Sequence, residues 1–159
     1  MDHSELVHSR GTQRTLNTHC HEEDMGLLPE PFELKVMKLA LRGDVAWIMG
    51  MRDQLPYLTI AERKSTGSGF TTDFCCARAA VTVVVPRAAD GLPVREYPPA
   101  VNARRRTPTE GLVSFIVWLG PDGRIRQLEA CPLTDDQWPE DLFEGFYAFQ
   151  DDVGNIVED

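Results

Sequence analysis

The chain has 159 residues, 42% of them apolar, which is enough for one hydrophobic core and about one domain. Its longest apolar run, residues 79–85, contains Thr82 and is far short of the ~20 residues a membrane-spanning helix needs. The net charge of −9 is concentrated at one end: residues 127–159 hold ten acids and no Lys or Arg, while the other 126 residues hold 16 basic and 15 acidic groups. Such an end repels phosphate backbones and anionic membranes and attracts basic surfaces, so neither nucleic acid nor membrane is an expected partner.

Residues 1–24 are polar and without helical or strand periodicity, and read as a flexible N-terminal extension to a single α+β domain over 25–159. They lack the basic start and apolar stretch of a secretory leader, and Met25 offers an alternative start. The run His19-Cys20-His21 has soft metal-ligand chemistry, but no second ligand pair follows at loop spacing. No metal or cofactor is expected. Cys75 and Cys76, neighbours in a predicted strand, point to opposite faces and are poorly placed to bond each other; the four cysteines fit a reduced, cytoplasmic protein.

Pro29 and Pro31 open a first predicted helix, with Phe32, Val36, Leu39 and Ala40 near one face and acids preceding bases along it. Gly43 ends it, and Asp44 is placed to cap a second helix bearing Val45, Ile48, Met49 and Arg52 at i, i+3, i+4, i+7. Two helices around a tight turn invite comparison with a DNA-binding helix-turn-helix. The second helix, however, offers a single cation, Arg52, and its Trp47-Ile48-Met49 segment belongs in a core.

Residues 57–64 and 70–75 alternate in polarity around Gly67-Ser68-Gly69, which predicts a β-hairpin. The glycines lead into a strand rather than a helix, so they serve a turn and not a phosphate cradle. Residues 79–85 predict a third, buried strand. A long proline-rich loop follows, with the Arg104-Arg105-Arg106 triplet and a short edge strand near Val101. The apolar run 112–118, the turn Gly120-Pro121-Asp122-Gly123 and the return run 124–131 predict a second hairpin, bulged where Ile125 and Leu128 break the alternation. Thr134-Asp135-Asp136 looks like a cap for a short turn or helix through Trp138, and residues 141–149 carry Leu142, Phe143, Phe146 and Phe149 among acids. The expected fold is α+β: two N-terminal helices, an antiparallel sheet of about five strands in two hairpins, and a short C-terminal helical segment.

The hairpin from Glu62 to Phe74 and the later Asp122-Gly123, Leu128-Glu129-Ala130 and Trp138-Pro139 motifs resemble those of small bacterial α+β domains of unknown function. The likeness spans roughly residues 34–140 and implies a partner-binding or immunity-like role without assigning an active site.

Two functional expectations follow. The first is a small cytoplasmic partner-binding protein, an immunity or inhibitor-like protein being one concrete version, whose acidic C-terminal surface with Trp138, Phe143, Phe146 and Tyr147 meets a basic protein. The second is an anionic-ligand or hydrolytic domain using Arg104, Arg105 and Arg106 together with a cluster of Glu62, Arg63, Asp73, Arg126 and Glu129 on facing strands. No residue is assigned a catalytic role: every histidine lies in the N-terminal extension, away from Cys75, Cys76 and Cys131, and no nucleophile elbow is present.

Overall fold

A computed structural model describes residues 26–91, 97–134 and 137–158, and the extension 1–24 with its His-Cys-His run lies outside them. Two helices, α1 (Pro31–Ala40) and α2 (Ala46–Gln54), precede a short 3-10 turn at Leu55–Tyr57 and seven strands. The strands are β1 (Leu58–Ser65), β2 (Phe70–Cys76), β3 (Val101–Arg105), β4 (Gly111–Leu119), β5 (Ile125–Pro132), β6 (Phe146–Gln150) and β7 (Ile156–Glu158). They form one sheet in the order β1-β2-β5-β4-β3-β6-β7, antiparallel at every junction.

This corrects the expected α+β fold of about five strands and a C-terminal helical segment. The fold is mostly β, with two short helices and seven strands; of the C-terminal apolar segment, Phe146 and Phe149 lie in β6 and Leu142 and Phe143 in the turn before it. Phe146 and Phe149 mimic a helical i, i+3 spacing for a different reason. Ala148, at φ +50°, is bulged opposite β3, so two residues three apart reach the same face of a strand. Residues 79–85 form no strand, although Val83 N donates to the Gly123 carbonyl at 2.9 Å. Every position flanking the central strands is filled by another element, including β3, which lies between β4 and β6 rather than at an edge. Asp135 and Asp136 lie outside the described residues, and Trp138 follows them in irregular chain.

The core lies between the helices and one sheet face. Val36, Met37 and Ala40 of α1 and Trp47, Ile48 and Met51 of α2 meet Phe70, Phe74, Val113, Phe115, Val117 and Leu128. In α2 the buried stripe is offset from the predicted one: Val45 and Met49 are exposed, and Val45 rather than Asp44 holds the N-cap position. Both predicted turns are present. Gly67 adopts φ +84° in the first, and in the second Gly123 N donates to the Gly120 carbonyl at 3.0 Å, closing a β-turn. The pairing of Trp118 with Gln127 and Leu119 with Ile125 leaves Arg126 as the bulged residue that brings Ile125 and Leu128 to the core.

Candidate functional site

Strand alternation separates the arginine triplet. The pleat sends Arg104 away from the core and Arg105 into it. Arg104 is half-exposed, 3.7 Å from the Glu110 carboxylate, beside a groove of about 410 Å³ that Leu112 and Thr134 also line. Arg105 has no exposed surface; its Nε donates to the Thr109 carbonyl at 3.3 Å and its guanidinium lies 5.8 Å from the Trp138 ring centre. Arg106 packs 4.4 Å over the Tyr147 ring, whose hydroxyl donates to Glu110 at 3.2 Å. Three neighbouring guanidinium groups therefore enter three environments, and no single anion is within reach of all of them.

The carboxylate–arginine cluster is not assembled either. A bulge at Ala61, between the pairs Ile60–Phe74 and Glu62–Asp73, rotates Arg63 onto the core face. There its Nε donates to Glu33 Oε1 at 3.2 Å and its Nη2 to Oε2 at 2.8 Å. Asp73 and Glu129 stay on the opposite face. Asp73 accepts from Gln127 Nε2 at 2.7 Å, and Glu129 accepts from Trp118 Nε1 at 2.8 Å. Glu62 pairs with Lys64 at 2.7 Å, and Arg126 lies 3.9 Å from Asp122. Each charge has a local partner, and nothing gathers them around a reacting group.

The C-terminal aromatic residues are anchors as much as surface. Trp138 is half-buried, edge-on to Phe70 with ring centres 5.7 Å apart and 5.4 Å from Phe146. Phe146 lies 5.2 Å from Phe32 of α1, and Phe143 stands 5.4 Å from Phe70 and under the Arg63 guanidinium at 4.9 Å. Between these anchors Glu140, Asp141 and Glu144 are exposed. Among the described residues no cation pairs with any of the three. Asp141 accepts from the Phe143 backbone N–H at 3.0 Å, which closes a local turn; this exposed acidic segment is termed the acidic ridge.

Two buried polar residues were missed by the sequence expectations. Glu33 is wholly buried, and besides Arg63 it accepts from the Thr72 hydroxyl at 2.6 Å and the Glu30 backbone N–H at 2.8 Å. Gln54, also wholly buried, donates from Nε2 to the carbonyls of Val81 and Gly123 at 2.8 Å each and accepts from Ile125 N at 2.7 Å. A signal existed for both. Glu33 sits with Val36, Met37 and Ala40 at i, i+3, i+4, i+7, and Gln54 shares the spacing of Trp47 and Met51, so each is a polar residue on an apolar helical stripe.

Cys76 and Cys131 carry free thiols, both pushed above the usual thiol range by burial, so neither is an activated nucleophile at neutral pH. Among the described residues no helix is long and apolar enough to cross a membrane.

Fold and site together define a mostly β protein whose single antiparallel sheet is covered on one face by two short helices and flanked by an acidic ridge. Comparison with protein-family models, with curated proteins and with solved structures finds no match to any of them.

Proposed function

We propose that this is a small partner-binding protein whose acidic ridge, residues 140–144, engages a basic protein. The observation that supports this reading is the set of three exposed carboxylates, Glu140, Asp141 and Glu144, that no described cation neutralises. Unpaired surface acids on a segment fixed by Trp138 and Phe143 steer a basic surface toward one orientation. The aromatic residues hold the ridge in place, and the exposed carboxylates provide the recognition. Inhibition of a basic enzyme, in the manner of an immunity protein, is the concrete form of this role.

The test is an NMR titration of the full chain with an arginine-rich peptide at low and high ionic strength. Shifts centred on 140–144 that fade with salt, and that are lost in the Glu140→Gln, Asp141→Asn, Glu144→Gln variant, support the proposal. Shifts spread over every acidic position, or insensitive to salt, remove it. A cytoplasmic site of action belongs to the same proposal. Alkylation during lysis, followed by mass measurement, decides the point: all four cysteines alkylated keeps the cytoplasm, and fewer means an oxidising compartment.

A further inference from the structure

The outer side of α1 carries charge of the opposite sign. Lys35, Lys38 and Arg42 follow at i, i+3 and i+7, so they fall along one side of the helix and the turn that ends it. Beside them Leu34 and Leu39, both half-buried, help to line a groove of about 510 Å³ that Glu158 of β7 borders. Lys35 is already engaged, its Nζ 2.6 Å from Glu158 Oε1 and 4.4 Å above the Phe149 ring. Lys38 and Arg42 are exposed, and no acid among the described residues pairs with them. In a chain of net charge −9 this is a local concentration of cations around an aliphatic surface.

We propose that this groove binds a short acidic peptide segment carrying an aliphatic side chain between its carboxylates. The cations match the carboxylates, and the leucines match the aliphatic group. Charge elsewhere decides against larger anions. A membrane surface or a nucleic-acid backbone laid along α1 would bring its own negative charge against the acids that dominate the rest of the molecule. Among the described residues that line the groove, the one acid a confined peptide meets is Glu158. That residue acts as a built-in competitor, occupying on Lys35 the place of one incoming carboxylate. The site is separate from the acidic ridge and stands or falls independently of it.

The test uses the full chain and a fluorescent synthetic peptide of Glu and Asp residues around a single Leu, read by anisotropy. Saturable binding is expected. Lys38→Ala combined with Arg42→Ala should weaken it about fivefold, as the loss of two solvent-exposed ion pairs does. Glu158→Gln should tighten it by releasing Lys35, and replacing the peptide's Leu by Ala should weaken it. All three positions are solvent-accessible, so circular dichroism should be unchanged in the variants. Binding indifferent to Lys38→Ala and Arg42→Ala, or weakened by Glu158→Gln, would overturn the proposal. So would equally tight binding of anionic vesicles or duplex DNA through the same residues.

Discussion

Arg63 grips the carboxylate of Glu33 with two donors, Nε to Oε1 at 3.2 Å and Nη2 to Oε2 at 2.8 Å, and so ties the first turn of α1 to the edge of the sheet. Glu33 has no exposed surface, whereas the Arg63 side chain is 23% exposed, so the carboxylate depends on the pairing more than the guanidinium does. Removing Arg63 leaves a buried carboxylate with the Thr72 hydroxyl and the Glu30 N–H as its remaining donors. Arg63→Met should therefore cost about 3 kcal/mol in urea unfolding, the low end of the range for breaking a buried pair. The double change Arg63→Met with Glu33→Leu should recover most of that loss, because no charge is then stranded. A single-variant cost below about 1 kcal/mol would mean that water reaches Glu33.

Gln54 makes three hydrogen bonds, and their loss would not be felt equally. The Gly123 carbonyl keeps the Val83 N–H as a second donor, and the Val81 carbonyl belongs to a half-exposed residue that water can reach. The Ile125 N–H is different: its residue is 1% exposed and donates to Gln54 Oε1. Gln54→Leu should cost about 2 kcal/mol, mostly from stranding that one donor. Hydrogen exchange locates the effect: the Ile125 amide should lose protection more than its neighbours in β5. Uniform loss of protection along β5 would refute this apportioning.

The hairpins were legible because turn chemistry is local: Gly67-Ser68-Gly69 and Pro121-Asp122-Gly123 fix their strands without reference to the rest of the chain. The strands at the far side of the sheet were not. Phe143, Phe146 and Phe149 have helical spacing, and only the bulge at Ala148, opposite a strand about fifty residues earlier in the chain, converts that spacing into a strand. Residues 79–85 are the converse case: their β propensity is strong, but both flanks of the central strands are already occupied by other strands. The candidate site failed for the same reason. Arg63 and Asp73 alternate as expected until the Ala61 bulge turns Arg63 to the other face.

The two glycines of the first turn are required for different reasons. Gly67 has φ +84° and open space around a Cβ position, so Gly67→Ala should cost about 1 kcal/mol, the backbone penalty alone. A Cβ on Gly69 would run into the Ala130 carbonyl of β5, where backbone must move to make room. Gly69→Ala should therefore cost more, about 2–3 kcal/mol, as overpacking does. Thermal or urea unfolding of the two variants checks the order. A larger loss at Gly67 would contradict the close approach of the turn to β5.

Asp151 organises the connection between β6 and β7. Its carboxylate accepts from the Asn155 side-chain amide at 2.9 Å, from the Asn155 backbone N–H at 2.8 Å and from the Val153 N–H at 3.1 Å. These donors favour the ionised form, those of Asn155 first, and hold the carboxyl below its ordinary range. A lowered folded-state value means the carboxylate stabilises the turn at all pH above the unfolded aspartate value. That contribution is lost as pH falls through the folded value. The Asn155 amide resonances should therefore be unchanged from neutral pH down past the usual aspartate range, and should shift only below it. Asp151→Asn should abolish the transition. An Asn155 midpoint at or above the ordinary aspartate value would show that these hydrogen bonds do not hold the carboxylate in solution.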